Sequence, residues 1–368
     1  MTARQPRAEA ALVERFQALH EIAAVAHARL EHNIWDYLVG GTETETTVKR
    51  NRHALDSLGL RPRMLRDASH VDLSTSFLGA ELELPLATAP IGSLESFDPE
   101  GGAAAARAAG RQGMATTLSS VSKPGLEETA AAADGAKIFQ LYVRGDDAWV
   151  DDHAHRAVEA GYLAFCLTVD VALYSRRERD IANRFVKPWR RTAGGTEYQA
   201  GLSWRQVEGF KRRHDIPLLL KGIMTAEDAV LACEHGVDGV WVSNHGGRQL
   251  DHALGSTAVL PEIVAAVDGR AAVVVDGGFL RGTDVIKALA LGADLVALGR
   301  LTGMGLGAAG EEGLVRAIDL LAEEMHTAMG LMGAAKLADL GSDFVAEAPA
   351  VDRPHVLSAF PLLPDDVR

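Results

Sequence analysis

Eight short apolar runs, each followed by a turn and a longer amphipathic stretch, are the feature that most constrains the fold of this 368-residue chain. The interiors of these runs are almost wholly apolar, which is typical of parallel strands that are covered on both faces. The stretches after them, such as residues 99–111 and 226–234, have the spacing of helices. The runs are Leu84–Ala89, Met114–Leu118, Lys137–Val143, Leu163–Val169, Pro217–Lys221, Gly239–Ser243, Ala271–Val275 and Asp294–Leu298.

This alternation predicts an α/β fold in which eight parallel strands close into a (β/α)8 TIM barrel over residues 81–345. A doubly wound open sheet is the alternative, but eight units in one series favour closure. Residues 1–80 are predicted to form an N-terminal helical cap segment, with a helix near 8–30. A second amphipathic helix is expected at 310–329. Residues 346–368 contain four prolines and are predicted to form an irregular surface tail.

The composition argues against several classes of partner. A net charge of −13 does not suit a nucleic-acid surface, because phosphate binding needs clustered Lys and Arg. The N-terminus has no apolar signal core, and no run approaches the roughly 18 apolar residues of a membrane span. Cys166 and Cys233 are too few for a disulfide framework or a cysteine-built metal site. We therefore expect a soluble cytoplasmic protein without a metal, whose partner is a small molecule.

Polar residues follow the predicted strands at the points where the strands end. Because the carboxyl ends of barrel strands converge on one face, we expect these side chains to form a single site. They are Gln140, Tyr142, Thr168, Asp170, Lys221, Ser243, His245, Asp276, Gly278, Gly299 and Arg300.

The loop at 243–251 carries both an imidazole and a guanidinium. His245 can accept a proton near neutral pH, and Arg248 can bind a carboxylate through two parallel hydrogen bonds. A loop histidine often has only a structural hydrogen bond. Here the neighbouring Asp170 and Arg248 favour a catalytic role.

Two glycine-containing strand ends, at 277–278 and 299–300, indicate a phosphorylated ligand, because barrels commonly hold phosphate there on backbone N–H groups. Glycine pairs are also common in simple turns. Lys221 leaves three roles open from the residues alone: a Schiff base, stabilisation of negative charge on a cofactor, or a plain salt bridge.

Taken in order, these motifs resemble those of the FMN-dependent 2-hydroxy-acid oxidases and dehydrogenases, which act on glycolate, lactate or mandelate. The resemblance covers roughly residues 30–335. It rests on Asp36-Tyr37, Leu118–Ser120, Phe139–Tyr142, Leu167–Asp170, Arg176-Arg177, Leu220–Gly222, Ser243–Asp251 and Asp276–Gly278.

The resemblance implies FMN as cofactor and a role for each matching position. His245 would be the base, Asp170 would hold its imidazole, and Lys221 would lie by the flavin N1–C2 region, which displaces the Schiff-base role. The substrate carboxylate would be bound by Arg248 and Arg177 with the hydroxyls of Tyr37 and Tyr142. FMN would be contacted by Ala89, Pro90, Ser119, Gln140, Thr168, Ser243 and Asp276, and at its phosphate by Gly278, Gly299 and Arg300.

The implied reaction oxidises a small L-2-hydroxy acid to the 2-oxo acid, with electrons passed to dioxygen or another acceptor. The alternatives are a phosphate-binding barrel lyase that uses Lys221 as a Schiff base, and a catalytically silent flavin-binding barrel. Related barrels commonly assemble as tetramers or larger, so a homo-oligomer is expected.

Three departures from the family pattern affect these expectations. Leu280 stands where the family usually has an arginine at the phosphate, and Arg281 is expected to replace it. The loop at 183–203 is short, which implies a more open site. Gly92 stands where oxidase-type members usually have alanine, so reactivity with dioxygen is open.

The pocket is expected to be apolar, which suits an aromatic or branched acid. The residues expected to line it are Ile91, Leu173 and Leu254, with Trp189 or Phe185.

Overall fold

The first elements of the chain lie outside the barrel in the computed structural model, which describes residues 12–192, 194–364 and 367. They are helices α1 (Leu19–Arg29), α2 (His32–Val39) and α3 (Thr46–Asp56), strand β1 (Leu58–Leu60), and a hairpin of β2 (Thr75–Phe77) and β3 (Ala80–Leu82). The helix predicted near 8–30 is confirmed over α1, and residues 12–15 are also helical, with a break at 16–18. Its first residues, 8–11, lie outside the described part of the chain.

All eight predicted barrel strands are present, and neighbouring strands pair in parallel. They are β4 (Leu86–Thr88), β5 (Thr116–Ser119), β6 (Lys137–Leu141), β7 (Ala164–Thr168), β8 (Leu218–Ile223), β9 (Gly239–Val242), β10 (Ala272–Val275) and β11 (Leu295–Leu298). The sheet order is β4-β11-β10-β9-β8-β7-β6-β5, and a parallel bridge between Ala87 and Ala115 joins its two ends. The predicted TIM barrel is therefore confirmed, and the open-sheet alternative is wrong.

Helices cover the outside of the barrel and connect its strands. They are α4 (Gly101–Arg111), α5 (Leu126–Ala132), α6 (Asp147–Glu159), α7 (Glu178–Ala182), α8 (Thr196–Ala200), α9 (Trp204–Arg213), α10 (Ala226–Glu234), α11 (Ser256–Val267), α12 (Gly282–Ala290) and α13 (Arg300–Met332). The helix predicted at 310–329 is the second part of α13, which breaks at Ala309 and Gly310. None of the helices described in 12–192 and 194–364 is both long and apolar enough to cross a bilayer.

A short C-terminal strand, β12 (Val345–Glu347), pairs antiparallel with β1. It crosses the boundary predicted at residue 346 between the barrel and the tail. Pairing with β1 joins the start of the tail to the N-terminal segment. The division into cap, barrel and tail stays a prediction.

The barrel interior is filled with side chains below the site. Trp241 is fully buried among small barrel residues such as Ala164 and Cys166. Phe77 and Leu82 of the β2–β3 hairpin join the same cluster and close the amino-terminal end of the barrel. Open space for a ligand therefore lies at the carboxyl ends of the strands, where active sites of such barrels are found.

The hairpin closure predicts a large cost for removing Phe77. Because its ring is 2% exposed and fills the end of the barrel, Phe77→Ala should lower the free energy of unfolding by about 3–5 kcal/mol. Urea denaturation of the wild-type and variant holoproteins would measure this. Leu331→Ala is the control, since Leu331 is 70% exposed and its truncation should change the free energy by less than about 0.5 kcal/mol. Equal effects for the two variants would contradict the closure.

Candidate active site

A cavity of about 560 Å³ opens at the carboxyl ends of the strands, within the range of roughly 300–1,000 Å³ that small-molecule sites occupy. The structure brings twelve of the predicted site residues to its lining, from eight different segments of the chain. They are Tyr37, Ala89, Pro90, Tyr142, Arg177, Lys221, His245, Arg248, Asp276, Gly278, Gly299 and Arg300.

Five further predicted residues lie beneath or beside this lining, and one lies apart. Ser119, Gln140, Thr168 and Ser243 are fully buried at the ends of their strands, and Asp170 follows β7 against His245. The structure does not bring Arg281 to the site. Its guanidinium forms an ion pair with Glu324 at 2.6 Å and donates to the Ala359 carbonyl at 3.2 Å.

The imidazole of His245 is held between a carboxylate and a phenol. Its Nδ1 lies 3.1 and 3.2 Å from the two oxygens of Asp170, and its Nε2 lies 3.3 Å from the hydroxyl of Tyr142. Asp170 therefore places the proton of the neutral ring on Nδ1, and Nε2 is left as the acceptor. The loop keeps the backbone of His245 in the left-handed region at φ +59°, and the backbone N–H of His245 donates to Ser243 Oγ at 3.0 Å.

Burial sets the charge state of this pair. Burial lowers the pKa of His245, and Lys221 acts in the same direction, although Asp170 opposes them. Burial would raise the pKa of Asp170, but His245 and Lys221 outweigh it and hold the pKa below its usual value. Near neutral pH the site therefore contains a neutral imidazole beside a carboxylate, which is the form in which histidine can take up a proton.

Lys221 carries a fixed positive charge in the floor of the cavity. Its Nζ donates to Ser243 Oγ at 2.9 Å and lies 3.4 Å from Asp276 Oδ2, while Ser243 donates to Asp276 Oδ1 at 2.7 Å. Burial would lower the pKa of Lys221, but Asp276 and Asp170 outweigh it and raise the pKa. A Schiff base needs the neutral amine, so this charge state disfavours the lyase alternative.

Two arginines beside Tyr37 have no acidic partner among residues 12–192, 194–364 and 367. Arg248 donates to the carbonyls of Tyr37 and Gly40, at 2.7 and 2.8 Å, and Arg177 donates to the Arg248 carbonyl at 3.2 Å. Burial lowers the pKa of Arg248, and Arg177 adds to this. Cations that are withdrawn from water and bonded only to neutral oxygen atoms are costly, so this pair is suited to bind an anion.

A second anion site lies where α13 begins. Arg300 is bonded only to carbonyls within the described part of the chain, those of Val39, Gly246 and Gly40. Burial and the neighbouring Arg248 lower its pKa to about 9. Backbone N–H groups at a helix N-terminus and a nearby guanidinium are a common phosphate site.

The glycines at 277 and 278 complete this second site. Both have positive φ, +112° and +92°, and a Cβ at Gly277 would meet Ser256 Oγ at 2.5 Å. Leu280 lines the cavity without supplying a charge, and Arg281 is turned away. The guanidinium that does reach this region belongs to Arg52, which donates to the Gly278 carbonyl at 2.7 Å.

Buried polar atoms at the strand ends test whether FMN fits. Both amide atoms of Gln140 and the hydroxyl of Thr168 are buried and lack a hydrogen-bond partner in the described residues. Each such atom costs roughly 1–3 kcal/mol unless something pairs with it. A ring system with polar edges, on a chain that ends in phosphate, would pair with these atoms, with Lys221 and with Arg300. The residues present therefore fit FMN.

The apolar residues that line the cavity differ in part from those expected. Ile91, Leu173 and Trp189 line the cavity as predicted. Leu254 is 59% exposed on the surface, and Phe185 packs beside the Tyr37 ring at 5.9 Å. Both lie outside the lining, whose apolar residues include Ile91, Val121, Leu173 and Trp189.

Lys187 lies beside the cavity, against the Tyr37 ring, and no sequence pattern marks its position. It is 2% exposed, and its Nζ donates to Asp180 Oδ2 and to the Tyr174 hydroxyl, both at 2.5 Å. Burial, together with Arg177 and Arg248, lowers its pKa to about 6. Its Nζ lies 4.7 Å from the Tyr37 ring centroid, so Lys187 links the loop after β7 to the side of the cavity that contains Tyr37.

Comparisons with known proteins agree with this geometry. The model of the FMN-dependent dehydrogenase family matches residues 26–347. Glycolate oxidase 1 of Oryza sativa subsp. indica is 41% identical over 342 residues, 87% of this chain and 93% of the relative. The L-lactate oxidase of a Nostoc species is 39% identical over 356 residues, 89% of this chain and 97% of the relative.

A solved structure of a mandelate oxidase mutant with the C4a-OH-FMN adduct superposes with a TM-score of 0.81 at 41% identity. It covers 86% of this chain and 96% of that one. The chain belongs to the family of FMN-dependent dehydrogenases, and its cofactor is FMN. The family resemblance predicted from the motifs is confirmed.

The unpaired amide of Gln140 predicts that its removal does not destabilise the apoprotein but weakens FMN binding. Gln140→Met keeps the side-chain shape but removes the unpaired polar atoms. The apoprotein should therefore be as stable as wild type or more stable, by up to about 1–3 kcal/mol, while FMN affinity falls by about 10-fold. Thermal unfolding with and without FMN would measure both effects. A variant that loses apoprotein stability, or that keeps full FMN affinity, would show that Gln140 does not serve the cofactor.

Proposed function

We propose that this protein oxidises a small L-2-hydroxy acid to the corresponding 2-oxo acid, and that His245 is the base. The observation that carries the proposal is one cavity in which an Asp170-oriented imidazole lies with the buried Arg177 and the half-buried Arg248, neither of which has an acidic partner in the described residues. The substrate carboxylate would bind Arg177 and Arg248 and satisfy their charge. The 2-hydroxyl group would then lie near His245 Nε2 and the Tyr142 hydroxyl.

In the proposed reaction, the substrate hydroxyl gives its proton to His245 Nε2. Asp170 stabilises the imidazolium that forms, because the carboxylate is already hydrogen-bonded to Nδ1. FMN, when bound, supplies an acceptor for the two electrons and the α-hydrogen. Lys221 holds a positive charge beside the position where negative charge increases, and its bonds to Ser243 and Asp276 keep the ammonium in place.

The substrate's substituent would contact the wall of Ile91, Val121 and Trp189, which line the cavity. This wall supports a substituent larger than a hydrogen atom, such as the branched or aromatic group predicted from the sequence. Val121 packs closely against Gly92, since a Cβ there would lie 2.9 Å from Val121 Cγ2. The electrons would pass to dioxygen or another acceptor, and the rate of flavin reoxidation in air would distinguish these.

The proposed base predicts a pH dependence. Because burial holds the pKa of His245 below its usual value of about 6.5, the neutral base is present at neutral pH and is lost as pH falls. The kcat/KM for anaerobic flavin reduction should be constant near pH 7 and fall on the acid side with a slope of one. A profile that rises as pH falls below 6 would exclude a neutral imidazole as the base.

Substitution at the pair tests the roles directly. His245→Ala should retain FMN but lose nearly all flavin reduction. Asp170→Asn should lower the rate of flavin reduction by about 10²–10⁴-fold, since the charge that stabilises the imidazolium is lost. Stopped-flow absorbance of the flavin under anaerobic conditions measures both. Glu128→Gln, on the exposed face of α5, is the matched control and should behave as wild type. Unchanged reduction in His245→Ala would remove His245 from the mechanism.

We also propose a cytoplasmic homotetramer or larger assembly. Two free cysteines, Cys166 and Cys233, support a reducing compartment. Leu250 and Leu254, which are 74% and 59% exposed on the loop after β9, support an interface between copies. Light scattering after size exclusion would measure the assembly.

A further inference from the structure

Two arginines at the cavity rim have no partner that explains their placement. Arg144 and Arg190 both line the cavity. Neither forms an ion pair or a side-chain hydrogen bond within residues 12–192, 194–364 and 367. Their contacts are with aromatic rings, Arg144 Cζ at 4.9 Å from the Trp189 centroid and Arg190 Cζ at 3.8 Å from the Tyr174 centroid. Ring contacts leave the N–H groups of a guanidinium free to donate in its plane.

The charges of the cavity do not balance without a second acidic ligand group. The chain is acidic overall, at −13, yet cations outnumber anions in the lining. The cations are Arg52, Arg144, Arg177, Arg190, Lys221, Arg248 and Arg300, and the acids are Glu197 and Asp276.

Most of these cations are accounted for. Arg52 is paired with Asp284 at 2.7 Å and Lys221 with Asp276 at 3.4 Å. Arg300 lies at the phosphate site, and the proposed function assigns Arg177 and Arg248 to the substrate carboxylate. Arg144 and Arg190 are left over, and the exposed Glu197 is within ion-pair distance of neither in the described residues.

The spacing of the arginines suits a short ligand with two acidic ends. Arg177 Cζ lies 4.9 Å from the same Tyr174 ring centroid that Arg190 Cζ approaches at 3.8 Å. The two Cζ atoms can therefore be no further apart than the sum of these two distances. The centroids of the Trp189 and Tyr174 rings are 6.1 Å apart, and Arg144 packs on the Trp189 ring. Arg144 therefore lies at the same part of the rim. Val121 and Gly92 stand beside Trp189, and Val121 gives this part of the cavity an apolar wall.

We propose that the substrate is a short 2-hydroxydicarboxylate, whose first carboxylate binds Arg177 and Arg248 and whose second binds Arg144 and Arg190. The methylene groups between them contact the apolar wall. This inference rests on the proposed function and keeps its reaction. It assigns the substrate an acidic substituent in place of the branched or aromatic one. The rim position of Arg190, which is exposed, makes the second contact sensitive to salt.

The experiment compares acids of equal shape that differ in one charge. In (S)-2-hydroxy-4-methylpentanoate an isopropyl group replaces the second carboxylate of (S)-malate, and (S)-2-hydroxy-5-methylhexanoate is related to (S)-2-hydroxyglutarate in the same way. Anaerobic flavin reduction of the FMN-loaded enzyme gives kcat/KM for each acid. At least one diacid should exceed its isostere by about 10- to 100-fold, as expected for charge-assisted hydrogen bonds, and the ratio should fall as ionic strength rises.

Variants separate the second carboxylate from the first. Arg144→Leu and Arg190→Leu should each lower the diacid-to-isostere ratio, and the double variant should bring it to about one or below. Arg191→Leu is the matched control, since Arg191 is an exposed neighbour outside the cavity lining, and its ratio should equal that of wild type. FMN content, read from the flavin absorbance, establishes that each variant is folded.

The outcomes are distinct. If both isosteres are oxidised as well as their diacids, or if the preference survives in the double variant, the inference is overturned and the proposed function stays intact. The same holds if both diacids fail while another 2-hydroxy acid bleaches the flavin. If no 2-hydroxy acid reduces the flavin, the proposed function fails, and this inference fails with it.

Discussion

Closure of the barrel between β4 and β5 is the constraint on which the rest of the structure depends. The bridge between Ala87 and Ala115, with Thr88 N–H donating to the Ala115 carbonyl at 3.1 Å, joins the first strand to the second. Because the ring closes, residues that are far apart in sequence converge on one face. Asp170 and His245 meet there across 75 positions of the chain. The β2–β3 hairpin fills the opposite end, so the carboxyl face is where a ligand can enter.

The site also contains arginines whose positive charge is not balanced by neighbouring carboxylates in the described residues. Arg177, Arg248 and Arg300 are bonded to carbonyls rather than to carboxylates in the part of the chain that the structure describes. A folded protein tolerates such groups when a ligand supplies the missing anion, because the cost of desolvation is then offset by charge-assisted hydrogen bonds. Phosphate and substrate carboxylate have this chemistry. Lys221 differs from the arginines, since Asp276 already compensates its charge, and its proposed role is toward the cofactor and not toward the substrate carboxylate.

The fold and the centre of the site could be predicted from the sequence, because both depend on local patterns. Apolar runs that are covered on both faces identify barrel strands, and a polar residue directly after such a run, such as Asp276 or His245, must point toward the open end. The resemblance to a family then assigned roles to these positions. The roles themselves stay proposals, while the barrel, the family and the cofactor are established.

Residues placed by contacts between distant segments could not be predicted in this way. Arg281 follows a strand end like the other site residues, but Glu324 on α13 draws its guanidinium away at 2.6 Å. Arg52 reaches the cavity from α3, outside the barrel series, and Lys187 lies in the irregular loop after β7, where no periodicity marks it. Leu254 was expected in the pocket because of its position after β9, yet its side chain is 59% exposed.

The most direct measurement of the central claim is the stoichiometry of a single anaerobic turnover. The FMN-loaded enzyme is titrated with a 2-hydroxy acid while the flavin absorbance and the 2-oxo acid formed are both quantified. The proposed reaction should form one 2-oxo acid for each FMN that is bleached, and an enzyme freed of FMN should form none. Product formed without bleaching, or a flavin that no 2-hydroxy acid bleaches, would contradict it.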